Sequence, residues 1–394
     1  MTAEPQSRWV SRLILTSFRS YAEAVVEVGP GPVVLAGPNG AGKTNILEAL
    51  SLLSPGKGLR GAAYGEMARR GPAAGGADWA VAARVSGGLA PVDIGTGITA
   101  SAAPGGPGDP STSRRQIRID GETATAAALQ ATLGLLWLTP AQDRLFVEGA
   151  SGRRRFLDRL VLALYPDHAG HVARYEAAMR ERARLLEAGN ADPLWLAALE
   201  RRMAEHGVAV AAARRHGVTA LQALMDAAPD GPFPRALLAL DGALEAALET
   251  AKALDVEDWA AGELASRRGV DRAAGRAGFG AHRTDLAVTH APKAMPAALC
   301  STGEQKALLI GLILAQARLV AGETGRKPLL LLDEIAAHLD ADRRAGLFDM
   351  LMNMGVQAWM TGTDLALFEA LVAPLRGQGQ FWTIDAGRPV RLDI

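Results

Sequence analysis

Residues 32–50 read PVVLAGPNGAGKTNILEAL: an apolar run, a glycine-rich turn and a helix-forming stretch. The turn matches G-x-x-x-x-G-K-[ST] in full, between a strand and a helix, which is the context that this phosphate-binding motif requires. Glycines let the backbone curl so that successive N–H groups face a phosphate, and the helix start adds its positive dipole end. The alternative is a chance glycine-rich turn. We expect a nucleotide phosphate site formed by Gly37, Pro38, Asn39, Gly40, Ala41, Gly42, Lys43 and Thr44.

Within this loop, Lys43 is expected to bind the β- and γ-phosphates, and the Thr44 hydroxyl to ligate Mg²⁺. A second half of the site follows the apolar run 329–332, which ends in Asp333 and Glu334. A buried strand that delivers two carboxylates at its C-terminal end is the Walker B arrangement. Asp333 would hold Mg²⁺ through water, and Glu334 would orient and polarise the attacking water. Glu334 and the phosphate-binding Lys43 are the two predicted catalytic residues. The alternative is an acidic pair that caps the next helix.

A third motif, STGEQ at 301–305, precedes the apolar stretch KALLIGLILAQARLV. It resembles the signature of ABC ATPases, in which Ser301 and Gly303 would contact the γ-phosphate held by a second protomer. The alternative is an ordinary capping box, with Ser or Thr followed by Glu. Walker B lies about 30 residues downstream, which is the ABC order. Gln142, in a turn after LLWL, is a candidate Q-loop residue, and Asp340 in the segment His338-Leu339-Asp340 lies at the place of the D-loop.

Several segments resemble the RecF family of ABC/SMC-type ATPases, and together they run from the start of the chain to about residue 370. They are LILTSFRSY at 13–21, the loop and helix at 37–50, SPGKGLR at 54–60, RRRFLD at 153–158, GAHRTDL at 280–286 and STGEQK at 301–306. The resemblance adds Asn45 to the nucleotide-binding residues. It departs at 361–364 (TGTD), where many ABC ATPases place a switch histidine, so we expect weak, DNA-stimulated ATP hydrolysis. Ala281 replaces a frequent proline.

Strand and helix patterns favour an α/β fold. Strands are expected at 9–18, 25–28 and 32–36, an antiparallel subsheet at 78–120, and further strands at 329–332, 356–360 and 380–394. Residues 151–275 are rich in Ala, Arg, Leu and Glu, which indicates helices. The predicted architecture is an ABC-type ATPase head (a P-loop NTPase) with an inserted helical arm. Its N-terminal half is 1–150, the arm is 151–275, and the C-terminal half is 276–394.

Composition limits the possible partners. The 394 residues include 42 basic and 42 acidic side chains, so DNA binding requires a local basic patch. Residues 151–220 carry 12 Arg and 8 acidic residues, whereas 221–275 carry 5 basic and 10 acidic ones. This split indicates either a solvated pair of complementary limbs or a duplex-facing surface with Arg60, Arg153 and Arg154. The single Cys300 fits a reducing cytoplasm, and no apolar run reaches the roughly 20 residues that span a bilayer.

The family resemblance implies ATP and Mg²⁺ as cofactors and an ATP-dependent homodimer. It implies a partner in double-stranded DNA, with its single-strand junctions, and RecR/RecO-type mediator proteins that load recombinase during recombinational repair and replication restart. Three alternatives stay open. An SMC-like tethering ATPase needs a longer coiled coil, and a transporter motor needs a membrane partner and the switch histidine. The third is an ATP-gated DNA-binding module with negligible turnover.

Overall fold

The computed structural model describes residues 5–70, 78–98, 115–189, 192–337, 339–378 and 380–394. The chain forms two compact units. Unit 1 combines both ends of the chain, Met1–Asp143 and Leu312–Ile394, with the short segment Gly231–Phe233. Unit 2 consists of Arg144–Asp230 and Pro234–Gly311. The finer division at residues 150 and 275 stays a prediction.

The strands of unit 1 form two six-stranded sheets and one two-stranded pair. The strands of the chain are β1 Gln6–Ser7, β2 Trp9–Phe18, β3 Tyr21–Glu27, β4 Val33–Ala36, β5 Trp79–Ser86, β6 Val92–Ile98, β7 Gln116–Ile119, β8 Glu122–Thr123, β9 Leu135–Leu138, β10 Ala236–Asp241, β11 Asp285–His290, β12 Met295–Pro296, β13 Arg326–Lys327, β14 Leu329–Leu332, β15 Ala358–Gly362, β16 Phe381–Asp385 and β17 Arg388–Arg391.

The described residues form eleven α-helices. They are α1 Lys43–Ser51, α2 Ala126–Thr132, α3 Ala150–Leu164, α4 His168–Ala188, α5 Pro193–Ala227, α6 Ala243–Thr250, α7 Ala253–Ser266, α8 Arg268–Ala274, α9 Thr302–Thr324, α10 Ala341–Met354 and α11 Glu369–Val372. The described residues include one helix long and apolar enough to cross a membrane, α9, and two-thirds of its most apolar window is buried inside the protein. A buried core helix passes the same test, so α9 gives little support for a membrane span.

The central sheet of unit 1 has the order β17-β16-β4-β15-β14-β9, and all its strands except β17 are parallel. Every residue of β4, β9, β14 and β15 is buried, as expected for parallel strands covered on both faces. Ligands bind outside the carboxyl ends of such strands. The ends of β4, β14 and β9 therefore place their following loops along one edge of the sheet.

The second sheet, β3-β2-β5-β6-β7-β8, is antiparallel. Strands β5, β6 and β7 lie within 78–120, where an antiparallel subsheet is expected; residues 99–114 of that range lie outside the described residues. Strand β5 alternates buried and more exposed residues, so one face of this sheet covers the core. That core joins the antiparallel sheet to α1 and to one face of the central sheet through Leu13, Val81, Leu47, Leu35 and Leu331, among others. The phosphate loop is thus held between the two sheets.

Unit 2 contains α3 to α8 and a three-stranded antiparallel sheet, β10-β11-β12. Strand β10 shows that 151–275, predicted as a helical arm, also contains a strand. Its sequence ALLALD pairs with β11 over six residues, from Ala236 opposite His290 to Asp241 opposite Asp285. Alternate burial along β10 shows a strand with one face on the core of the unit.

Candidate nucleotide site

The phosphate loop owes its shape to glycines with positive φ. Gly37, Gly40 and Gly42 have φ angles of 147°, 81° and 116°. Gly42 occupies the N-cap position of α1 without a side-chain cap, so the start of this helix is open to an anion. A Cβ atom on Gly40 would meet nothing within 4 Å, which leaves open space over the loop. Residues 37–44 therefore fit a bound phosphate chain.

Gly37 permits a close approach between the phosphate loop and the backbone of strand β16. A Cβ atom on Gly37 would lie 2.4 Å from the carbonyl oxygen of Ile384, on the neighbouring strand β16. Gly37→Ala should therefore lower the free energy of unfolding by about 2–3 kcal/mol and abolish nucleotide binding. Urea unfolding and binding of a fluorescent ATP analogue measure the two effects. Gly40→Ala is the matched control for stability, since its Cβ atom would meet nothing within 4 Å and it carries only the conformational cost of about 1 kcal/mol. Equal losses in both variants would contradict the steric explanation.

Lys43 turns its side chain back onto the phosphate loop. Its Nζ donates to the carbonyl oxygens of Gly37 and Pro38, the latter at 2.9 Å. Lys43 is 5% exposed. Burial lowers its pKa, whereas the carboxylates of Glu334 and Asp333 oppose this shift. A buried ammonium held by two neutral carbonyls and facing two carboxylates is suited to bind the anionic phosphates of a nucleotide.

Thr44 joins the phosphate loop to the end of β14. Its hydroxyl donates to Asp333 at 3.0 Å, and the hydroxyl of Thr361, at the end of β15, donates to the same carboxylate at 2.8 Å. Burial raises the pKa of Asp333, and the two hydroxyl donors oppose that rise. Hydroxyl and carboxylate oxygens are hard ligands of the type that Mg²⁺ prefers. The donor set formed by Thr44 and Asp333 therefore fits Mg²⁺ beside a bound nucleotide.

Glu334 lies immediately beyond strand β14 in a left-handed backbone conformation, with φ of 50°. Its backbone N–H donates to the Thr361 hydroxyl at 2.8 Å. A non-glycine residue in this conformation costs about 1–2 kcal/mol, and such strain is typical of functional sites. The turn separates the directions of the Asp333 and Glu334 side chains, so the two carboxylates can have different roles.

Two arginines surround a buried carboxylate on α1. Glu48 is fully buried; Arg19 donates to both its carboxylate oxygens, at 2.6 and 2.8 Å, and Arg60 donates to one at 2.9 Å. Arg60 also donates to the side-chain oxygen of Asn45, next to Thr44, at 2.8 Å. Arg60 and Asn45 thus lie together beside the phosphate loop, and their predicted DNA and nucleotide contacts stay predictions.

Gln142 follows β9 at the same sheet edge as Asp333. The two strands are in register, with Leu138 opposite Leu332, and the Asp333 N–H donates to the Leu138 carbonyl at 2.9 Å. The side-chain oxygen of Gln142 accepts from the Thr139 N–H at 2.9 Å, which closes the short 3₁₀ helix Pro140–Gln142. Its role as a Q-loop residue stays a prediction. His338, in the predicted D-loop, lies outside the described residues.

The predicted signature lies in unit 2, at the start of α9. Ser301 and Glu304 form a capping box there: the Ser301 N–H donates to Glu304 at 3.0 Å, and the Ser301 hydroxyl donates at 2.9 Å. Lys293, followed by the Ser301 donors, lowers the pKa of Glu304 to about 2. Ser301 is exposed, and a Cβ atom on Gly303 would meet nothing within 4 Å. The capping box and a contact with a second copy are therefore compatible.

The two predicted DNA-binding arginines of α3 have different surroundings. Arg153 donates through two nitrogens to Asp285, both at 2.7 Å, and to the carbonyl of Phe146 at 3.2 Å. This ion pair joins α3 to β11, and the predicted DNA contact of Arg153 stays a prediction. Arg154 donates to the carbonyl of Thr284 at 2.9 Å. Its DNA contact stays a prediction.

Thr361 is a site residue that the sequence analysis missed. It is fully buried and contacts both Walker B residues, through its hydroxyl to Asp333 and from the Glu334 N–H. The sequence signal that could have identified Thr361 is its position as a polar residue directly after the apolar run at 356–360. In a parallel sheet, that end lies beside the end of a neighbouring strand.

Comparison with known proteins agrees with this geometry. Residues 9–371 match the family model described as RecF/RecN/SMC N terminal domain. The chain is 52% identical over 385 residues to "DNA replication and repair protein RecF" of Mesorhizobium japonicum, covering 97% of this chain and 98% of the relative. The protein of the same name from Brucella suis is 52% identical over 380 residues, covering 96% and 95%.

Solved structures show the same fold. "Structure of the recombination mediator protein RecF-ATP in RecFOR pathway" matches with a TM-score of 0.80 and 20% identity over 100% of both chains. The Smc head domain from Pyrococcus furiosus matches with a TM-score of 0.52 and 14% identity over 98% of this chain and 96% of that one. The predicted ABC-type head fold is thereby confirmed, and the chain belongs to the RecF family of ABC/SMC-type ATPases.

Proposed function

We propose that the chain is an ATP-dependent DNA-binding protein of DNA replication and repair that closes as a homodimer on ATP and hydrolyses it slowly. The strongest support is the 3.0 Å hydrogen bond between Thr44 and Asp333, which joins the phosphate loop to Walker B across 289 positions of sequence. The names of the relatives, which are 52% identical, support the cellular role. We propose a cytoplasmic location to match this role.

Within one protomer, different residues would bind the phosphates, hold Mg²⁺ and orient the attacking water. Lys43 would neutralise the β- and γ-phosphates, and Thr44 with Asp333 would hold Mg²⁺. Bound Mg²⁺ supplies charge stabilisation to the transferred phosphoryl group. Glu334 would orient and polarise the attacking water, and Thr361 would fix the turn that carries Glu334.

The second half of the site is proposed to come from another copy of the chain. Ser301 and Gly303 lie at the start of α9; Ser301 is exposed, and a Cβ atom on Gly303 would meet nothing within 4 Å. A helix start with a serine hydroxyl suits the γ-phosphate held by the partner. ATP would stabilise the closed dimer through contacts that ADP lacks, which is the differential binding that a ligand-driven change requires.

DNA is proposed to bind to the closed dimer as a duplex, near junctions with single strands. Contacts to the phosphate backbone are independent of sequence and sensitive to salt. The structural relative is described as a recombination mediator of the RecFOR pathway. We therefore propose RecR/RecO-type proteins as partners in recombinase loading.

The proposal predicts that dimer formation and DNA binding depend together on ATP. Gapped duplex DNA is titrated with the chain in ATP, in ADP and without nucleotide, and the mass is followed by sedimentation. Dimers and DNA complexes should form in ATP and largely disappear in ADP. Ser301→Arg should retain ATP but stay monomeric, because the added side chain blocks the partner's phosphate; Arg184→Gln, an exposed change on α4, is the control.

Other outcomes separate the alternatives. Monomers that bind DNA equally well without ATP would contradict the proposal, as would the absence of DNA binding. ATP-dependent dimers with no measurable turnover would favour the ATP-gated module. Binding that needs ring closure around DNA would favour the tethering class.

A further inference from the structure

The carboxylates beside the first half of α3 are already neutralised. Asp285 accepts two nitrogens of Arg153, both at 2.7 Å. Asp158 accepts two nitrogens of Arg214, at 2.8 and 2.9 Å, and Nε2 of His168 at 2.9 Å. Such bidentate pairs occupy both carboxylate oxygens. Both carboxylates are therefore already paired with an arginine.

The third nearby carboxylate is withdrawn from the surface. Glu245 is 3% exposed and accepts from the Thr284 hydroxyl at 2.9 Å. Burial raises the pKa of Glu245, so its negative charge is disfavoured. The carboxylate faces Arg214, whose Nη1 lies 3.8 Å away. Glu245 thus adds little negative charge outside the unit.

Near these carboxylates, Arg154 and Arg283 form no ion pair with an acidic side chain among the residues that the structure describes. Arg154 donates to the carbonyl of Thr284, the residue directly after Arg283, and the 3₁₀ helix Ala281–Arg283 packs against α3. Arg283 is exposed, and Arg154 is half-buried. Burial and the charge of Arg214 lower the pKa of Arg154; Asp285 opposes this shift, Arg283 adds to it, and Asp158 opposes it. The two positive charges therefore lie close together.

We propose that Arg154 and Arg283 form a phosphate-binding pair for the backbone of double-stranded DNA. This inference rests on the proposed DNA binding and names its contact surface. Arginine guanidinium groups match phosphate geometry, and an uncompensated pair gains a counter-charge when a phosphate binds.

The surroundings of Arg154 and Arg283 favour DNA over an acidic protein surface as the ligand. Protein interfaces depend on buried apolar anchors, whereas DNA interfaces are polar and strongly positive. No large exposed hydrophobic side chain among the described residues belongs to α3 or to 281–286. Arg155, the next residue of α3, is also exposed and positive.

The salt dependence of DNA binding tests the pair. Affinity for a fluorescent duplex is measured with ATP and Mg²⁺ from about 50 to about 200 mM NaCl. The double variant Arg154→Gln/Arg283→Gln should reduce the slope of log K against log salt by about 2, and lower affinity about 10- to 100-fold. The double variant Arg154→Lys/Arg283→Lys should keep the slope, since each lysine retains the positive charge. Arg184→Gln, which changes an exposed arginine on α4, should match the wild type.

ATP binding is measured on every variant, so that failure of this pair can be told from failure of the proposed function. An unchanged slope in a double variant that still binds ATP would overturn the phosphate pair alone. Absence of DNA binding by the wild type would overturn both. Arg283→Gln alone changes an exposed side chain, so it gives an independent result if the double variant does not fold. A slope of log K against log salt that is lower by about 1 supports the pair, and an unchanged slope overturns it.

Discussion

Glu334→Gln should slow ATP hydrolysis by roughly two to four orders of magnitude and leave ATP binding intact. The amide keeps the size of the carboxylate but cannot accept the proton of the attacking water. The turn is set by the backbone, through the Glu334 N–H and the Thr361 hydroxyl at 2.8 Å, so the substitution should not move it. Single-turnover release of phosphate measures the hydrolysis step directly.

The same variant reports on the dimer. If turnover opens the closed state, Glu334→Gln should accumulate ATP-bound dimers that persist after dilution. Glu323→Gln, an exposed change at the end of α9, should behave as the wild type. Normal turnover in Glu334→Gln would show that another group activates the water.

Arg182→Met should destabilise unit 2 by about 3–5 kcal/mol, because it leaves buried charge without its partner. Arg182 is 1% exposed. It donates to Glu200 at 3.0 Å, to Asp271 at 2.7 Å and to the Leu264 carbonyl at 2.7 Å, and so joins α4 to α5, α7 and α8. Glu200 keeps a second arginine, Arg268, whereas Asp271 loses its cation.

Urea unfolding measures this loss, with Arg184→Met on the same helix as the control. Arg184 is 73% exposed and pairs with Glu181, so its removal should cost less than about 1 kcal/mol. Adding Asp271→Asn to Arg182→Met should recover part of the stability, since it removes the orphaned charge. Equal effects at 182 and 184 would show that the buried network contributes little.

The local motifs of the nucleotide site were predictable because each is a short backbone device. The glycine turn before Lys43 and the apolar strand before Asp333 can each be predicted from a few neighbouring residues. Pairing across long sequence distance was not predictable. The ion pair between Arg153 and Asp285 spans 132 positions, and nothing in the sequence around Arg153 indicates this partner.

Strand β10 shows a second limit of local patterns. The sequence ALLALD fits a helix as well as a strand, since alanine and leucine are strong helix formers. Its strand conformation depends on hydrogen bonding to β11, which begins at Asp285, more than forty residues later. Tertiary pairing therefore overrides the propensity of 236–241.

The strand order of the central sheet has a consequence for synthesis on the ribosome. Strand β4, which carries the phosphate loop, is flanked by β15 and β16, and both come from the last forty residues of the chain. Its hydrogen-bonding partners therefore emerge only near the end of translation. The segment Arg144–Gly311, which contains unit 2, is complete earlier and can fold while β4 is still unpaired. A nascent chain should thus fold unit 2 first and acquire its capacity to bind nucleotide last.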